Sequence, residues 1–244
     1  MTPIQPPAPE ISSSSTATSG FRWSEADAYF FDIDGTLLKS RDRVHYLALN
    51  IAMQTVYGMD TTIDGVPYHG MTDLGILRAA LERVGISGDE FASKLPGALK
   101  VVRDYVDQQS ATLNPHVCKS IPEVLDLLKR SQKFMGVASG NLESVGWHKL
   151  RAAGLHDFFT CGYFSDHLET RAEIFSHAAD HARKALRPDA SVVFVGDTPS
   201  DILAAHQAGA KVIAVATGSF TIDDLQLHRP DACVTSCSDL LALV

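Results

Sequence analysis

The sequence predicts an α/β fold: a parallel sheet with helices on both faces and an all-helical block inserted near its start. Three observations support this. The runs Ala28-Tyr29-Phe30-Phe31, Phe134-Met135-Gly136-Val137-Ala138 and Val192-Val193-Phe194-Val195 have the continuous apolar character of strands buried on both sides. Helical periodicity fills the intervals after Ser120, the alternation that builds parallel strand–helix–strand units. Each of the three runs also ends in small, acidic or hydroxyl residues, and in such sheets ligands collect outside the carboxyl ends of the strands.

The 244 residues, 45% hydrophobic and 20% charged, supply enough apolar material for a sizeable core. The net charge of −8 argues against nucleic acid as a partner, because phosphate backbones are bound by basic surface. No apolar stretch approaches the roughly 18 residues of a membrane span, so no membrane partner is expected. Residues 1–20, rich in Pro, Ser and Thr and lacking the pattern of a secretory signal, read as a disordered tail. Cys118, Cys161, Cys233 and Cys237 are scattered with no Cys-x-x-Cys, which fits reduced thiols and a cytoplasmic protein. Cys233 and Cys237 alone make too few ligands for zinc.

In chain order, the run at 28–31 is the first strand, ending in Asp32-Ile33-Asp34-Gly35. Val44, Leu47, Ala48, Ile51 and Ala52 then recur at helical spacing, with Gly58 as a stop. Thr72 can cap a helix with Ile76, Leu77, Ala80, Leu81 and Val84 on one face, closed by Gly85. Phe91, Leu95, Leu99, Val102 and Val106 mark another, which Pro96-Gly97 should kink or divide. Residues 44 to about 112 therefore read as wholly helical. Ser120 and Glu123 suggest a capping box around Pro122, opening a helix with Val124, Leu125 and Leu128 buried. There follow a strand at 134–138, a helix to Gly154, a short strand at 158–161, and a helix over about 171–186. The strand at 192–195, a helix to Ala208, a strand at 212–216, a short strand near Ala232 and a final helical turn complete the chain.

The chemistry gathers at three strand ends: Asp32-Ile33-Asp34-Gly35-Thr36, Ser139-Gly140-Asn141 and Gly196-Asp197-Thr198-Pro199-Ser200-Asp201. Four acids around one crevice repel each other, and a hard divalent cation with oxygen ligands compensates them; Mg²⁺ fits.

These motifs, in this order, resemble those of the haloacid dehalogenase superfamily, whose members are mostly phosphohydrolases. The resemblance spans nearly all of residues 27–244, and is nearest to its phosphoglycolate phosphatase and β-phosphoglucomutase branches. It implies a Rossmann-like core over 21–42 and 114–244, with a helical cap over 43–113. It implies an Mg²⁺-dependent phosphatase of a small phosphorylated metabolite, with Asp32 as the nucleophile that forms an aspartyl-phosphate and Asp34 as general acid and base. It implies a metal site of the Asp32 carboxylate, the Asp34 carbonyl, Asp197 and Asp201, and phosphoryl binding by Ser139, Gly140 and Asn141, aided by the helix N-terminus that follows. The family's third motif usually supplies a Lys. Here Arg171 stands in its place, with Lys184 and Lys211 as fallbacks.

Asp32 and Ser139 are separated by about 75 residues more than a simple crossover needs. This excess is the cap, which closes over the site and excludes large substrates and water. His69-Gly70-Met71-Thr72-Asp73 resembles a cap loop that points at the substrate, although Thr72 can equally serve only as a helix cap. His177 and His181 read as a solvated helix face, and Ser139 as a phosphate ligand, not a hydrolase nucleophile. Rival functions are a phosphosugar mutase, which sequence excludes only weakly; a 2-haloacid dehalogenase, against which Asp34 argues; and a non-enzymatic phospho-acceptor switch, which would need no cap. The identity of the substrate and the oligomeric state are not legible.

Overall fold

The computed structural model describes residues 16–17 and 21–242. Its centre is a seven-stranded sheet. The strands are β1 (Thr16–Ala17), β2 (Ala28–Phe31), β5 (Phe134–Ala138), β6 (Cys161–Tyr163), β7 (Val192–Gly196), β8 (Lys211–Val215) and β9 (Ala232–Val234), in spatial order β1-β9-β8-β7-β2-β5-β6. All pairings are parallel except that of β1 with β9. A two-stranded antiparallel ribbon, β3 (Leu38–Ser40) with β4 (Pro115–Val117), stands apart from it.

Alternation along the buried strands sends side chains to two cores. Tyr29, Phe31, Val137 and Val195 join the face covered by α4 (Ile121–Arg130), α5 (Glu143–Ala152) and α9 (Cys237–Leu241). Phe30, Ala138 and Phe194 join the face covered by α6 (Arg171–Ala185), α7 (Pro199–Gln207) and α8 (Ile222–Gln226). The rings of Phe175 and Phe194 stack there at 4.1 Å, and Phe30 continues the stack. Cys233 and Cys237 point into these two different cores, which excludes a shared metal.

Between β3 and β4 the chain builds α1 (Val44–Tyr57), α2 (Asp73–Glu82) and α3 (Gly88–Gln108) around a third core of Ala48, Met53, Leu77, Phe91 and Val102. That core also takes in Leu142 and Val145, which lie before and within the first turns of α5, so the helical block is seated on α5.

Several expectations need correction. Residues 58–72 are loop and turn, so the block is not helical throughout. Helix α3 runs unbroken through Pro96, because Phe91, Ala98 and Leu99 on either side are held in the third core and packing overrides the local proline preference. Ser120 sits at φ 62° and makes no capping bond, so there is no capping box at α4. The strand expected at 158–161 begins only at Cys161, since 156–158 form a 3-10 turn. Within the expected disordered tail, Thr16 and Ala17 pair with Cys233 and Ala232 as an edge strand; residues 1–15 and 18–20 lie outside the described residues.

Candidate active site

Succession proceeds outward from β2 through β5 to β6 on one side, and from β7 through β8 to β9 on the other. The adjoining ends of β2 and β7 therefore form a topological switch point. A cavity of about 480 Å³ opens there, between the sheet and the helical block.

Asp32 follows β2 directly, its amide donating to the Val195 carbonyl at 2.9 Å, which carries the strand pairing to the edge of the site. Gly35, at φ 89°, turns the chain sharply, and a Cβ there would overlap the Asp197 carboxylate. Thr36 donates to Asp197 Oδ1 at 3.0 Å. Thr198 caps α7 reciprocally with Asp201: Asp201 Oδ2 accepts from the Thr198 hydroxyl at 2.8 Å and the Thr198 amide at 3.0 Å. The sequence Thr-Pro-Ser-Asp thus spends one Asp201 oxygen on its own helix and leaves Oδ1 turned toward the site.

Arg171 opens α6 behind the capping box of Thr170 and Glu173. Its Nη1 donates to Asp32 Oδ1 at 2.9 Å. Its Nε stands 3.1 Å from Asp201 Oδ1, close enough for ionic attraction but misaligned, so both atoms lack a hydrogen bond. Burial opposes the guanidinium's charge, but the Asp201 and Asp32 carboxylates outweigh it and raise its affinity for the proton. The same crowding acts oppositely on the acids. Burial, reinforced by Asp32 and Asp201, pushes Asp197 well above the carboxylate range; burial also raises Asp201, although Arg171 moderates it.

Asp32, Asp197 and Asp201 each offer a carboxylate oxygen within 4.8 Å of the others, all buried. The orphaned Asp201 Oδ1, the all-oxygen donor set and the space kept free at Gly35 and Gly218, where a Cβ would strike Asp197, fit a hard divalent cation. The triad can hold a metal ion.

At the end of β5, Ser139, Gly140 and Asn141 line the cavity, and Asn141 Nδ2 reaches both Ser139 Oγ and Asp34 Oδ2 at 2.8 Å. The helix N-terminus expected to help them is otherwise engaged. The Leu142 amide donates to Asp73 at 2.8 Å and the Glu143 amide to Asp166 at 2.6 Å, so these two amides are not free for an anion. His69 also lines the cavity, near Ser219 at 3.3 Å. Thr72 does not. Its hydroxyl accepts from the Gly75 amide at 3.0 Å and donates to the Glu169 carbonyl at 2.6 Å, which makes it a helix cap tied to the core. Lys211 begins β8 at the opposite end of the sheet, paired with Asp231, and Lys184 lies in the last turn of α6, so neither reaches the site that Arg171 occupies.

Sequence reasoning missed Lys149 and His45. Lys149, buried on α5, donates to Asp34 Oδ2 at 2.6 Å and Asn141 Oδ1 at 2.8 Å, and lies 3.1 Å from His45 Nδ1. Nδ1 thus accepts, and His45 Nε2 donates to Asp73 at 3.0 Å. Burial alone would raise the Asp34 carboxyl, but the Lys149 ammonium outweighs it and holds Asp34 below its ordinary value. The available signal was spacing: Leu142, Val145 and Lys149 recur on one helical face, which puts a lysine on a buried stripe.

Comparison with known proteins agrees with this geometry. Residues 29–215 match the family model described as haloacid dehalogenase-like hydrolase. The phosphoglycolate phosphatase of Synechococcus elongatus is 28% identical over 220 residues, covering 89% of this chain and 96% of that protein. The "Probable phosphatase IndB" of Dickeya dadantii is 31% identical over 148 residues, covering 58% of this chain and 60% of that protein's length. A solved structure described as a predicted phosphoglycolate phosphatase from Haemophilus somnus superposes with a TM-score of 0.65 at 21% identity, covering 89% of this chain and 97% of that one. A mostly parallel sheet with paired acids at its switch point, joined to a family match that runs from β2 to β8, places the chain among the haloacid dehalogenase-like hydrolases.

Proposed function

We propose that the chain is an Mg²⁺-dependent phosphatase that hydrolyses a small phosphorylated metabolite through an aspartyl-phosphate on Asp32. The observation that carries this reading is the convergence of Asp32, Asp34, Arg171 and Asp197 on one cavity at the β2–β7 switch point. Arg171, Ser139 and the Gly140 amide bind the phosphoryl oxygens and neutralise the charge that repels a nucleophile. An Asp32 oxygen attacks phosphorus as the bond to the leaving oxygen breaks, and Asp34, whose affinity for a proton the incoming phosphoryl anion raises against the opposing Lys149 ammonium, gives that oxygen a proton. In the second half-reaction Asp34, now a carboxylate, takes a proton from water, whose oxygen attacks phosphorus and releases phosphate from Asp32. The Asp32 and Asp197 carboxylates, the Asp34 carbonyl and Asp201 would hold Mg²⁺, which would supply charge compensation for the phosphoryl group. The cap limits the substrate to what the cavity encloses.

The test is turnover of a panel of phosphorylated metabolites, phosphoglycolate among them, with Mg²⁺ and with excess chelator. Metal-dependent release of inorganic phosphate is expected, and full activity in chelator would overturn the reading. Product analysis on phosphosugars separates hydrolysis from transfer back to the sugar.

A further inference from the structure

Resting on that reading, we infer that Lys149 is a positioning residue for Asp34: it fixes the carboxylate so that one oxygen is held and the other meets the leaving group. Asp34 Oδ2 accepts from Lys149 Nζ at 2.6 Å and Asn141 Nδ2 at 2.8 Å, while Oδ1 has no hydrogen bond among the described residues. The Asp34 side chain remains 42% exposed on the cavity wall, whereas that of Lys149 is 3% exposed. Both residues line the cavity, and the nearly buried lysine engages Oδ2, which leaves Oδ1 for the leaving group.

A buried ammonium costs free energy unless its donors are satisfied. Lys149 meets this with three acceptors from different parts of the chain: Asp34 after β2, Asn141 after β5, and His45 on α1 of the cap. Asp73 on α2 fixes the imidazole through Nε2, and is itself tied to the core through the Leu142 amide. The carboxylate that must approach the leaving oxygen is therefore oriented by a chain of contacts crossing from core to cap. Because Lys149 also lines the cavity, the double variant with Asp34 separates action through that carboxylate from direct contact with the substrate.

Such a role predicts dependence on the leaving group. A proton from Asp34 matters greatly when an alkoxide departs and little when p-nitrophenolate departs, because the latter is stable without it. The experiment compares kcat/KM, which reports the first phosphoryl transfer, for an alkyl phosphate, phenyl phosphate and p-nitrophenyl phosphate in wild type, Lys149→Met, Asp34→Asn and the double variant. In Lys149→Met we expect a loss of about 100-fold for the alkyl ester and under about 5-fold for p-nitrophenyl phosphate, within the range of general-acid effects. Added to Asp34→Asn, the lysine change should cost almost nothing more, since its effect runs through that carboxylate.

Equal losses for all three esters, no loss at all, or additive losses in the double variant would overturn the inference while leaving the phosphatase reading intact. A wild-type protein that releases phosphate neither from these esters nor from any member of the metabolite panel overturns both. If thermal melting shows Lys149→Met unfolded, Lys149→Gln, whose amide keeps a donor, is read by the same criteria. It should show the same leaving-group trend with a smaller loss.

Discussion

Arg171 Nη1 stands 2.9 Å from Asp32 Oδ1, with both side chains buried, so the proposed nucleophile is held by a cation from the start of α6. The same guanidinium faces Asp201 through Nε. One planar fork thus spans two acids, whereas a lysine ammonium in its place would be a single point charge. Arg171→Met should leave two buried carboxylates uncompensated and cost about 3–5 kcal/mol in the metal-free protein. Arg171→Lys should recover much of the stability but leave KM for the phosphate ester raised. Chemical unfolding in chelator, paired with steady-state kinetics, checks both. Equal stability of Arg171→Met and wild type would show that the cation does not offset this acid cluster.

Asp32 and Asp34 sit two residues apart yet face different partners, Arg171 in one case and Asn141 with Lys149 in the other. Their asparagine variants should therefore fail differently. Asp32→Asn should lose at least about 10³-fold in kcat and form no phosphoenzyme. Asp34→Asn should still accept phosphate from p-nitrophenyl phosphate but release it slowly, because nothing then activates water. Acid quenching of a reaction with labelled substrate should trap labelled protein in Asp34→Asn and none in Asp32→Asn. Trapped label in Asp32→Asn would place the nucleophile elsewhere.

The acids also make a prediction about pH. Asp197 is raised to about 8 and Asp201 to about 6, so the metal-free folded protein holds protons that the unfolded chain has released above about pH 4. Between those limits the native state binds more protons than the unfolded state, and this contribution to stability falls as pH rises. A metal ion binds the deprotonated carboxylates, so its stabilising effect grows over the same window. The gap in Tm between Mg²⁺ and chelator should widen from about pH 5 to about pH 8. In Asp197→Asn it should shrink and lose its slope. A constant gap in the wild type would mean that the metal does not displace these protons.

The strand-end motifs were legible because apolar runs and small turn residues are local signals, and Asp32, Ser139 and Asp197 come at the ends of β2, β5 and β7. The doubly wound order then brings them together without further instruction. Lys149 and His45 were not legible, since each owes its role to partners about a hundred residues distant. Only the helical stripe shared with Val145 hinted that Lys149 is buried. The capping box at Ser120 failed for the opposite reason: the residue types were right, but the backbone there is left-handed at φ 62° and the hydroxyl bonds Ser238 Oγ at 3.3 Å instead of the helix. Thr72 carried two meanings in sequence, and its bonds to Gly75 and Glu169 support the structural one.

His69 and Thr72, two residues of one loop, should therefore respond differently to substitution. His69 lines the cavity, lies 3.3 Å from Ser219 Oγ, and has its ring 4.5 Å from that of Tyr68 and edge-on to that of Phe220 at 6.5 Å. It can yield to a ligand at little cost. Thr72 is buried, caps α2 and bonds the Glu169 carbonyl, while Arg78 of α2 pairs with the Glu169 side chain, Oε2 lying 2.8 Å from Nη2. Thr72→Ala should therefore cost about 1 kcal/mol of stability through the lost cap and leave the ranking of substrates in a metabolite panel unchanged. His69→Ala should leave Tm within a degree or so of wild type, as surface changes usually do, yet reorder that ranking through KM. Relative kcat/KM across the panel, measured beside thermal melting for both variants, separates the two roles. A reordered ranking in Thr72→Ala with unchanged Tm would mean that the hydroxyl leaves its cap to meet the substrate, and that the loop moves further on binding than its contacts with Gly75 and Glu169 allow.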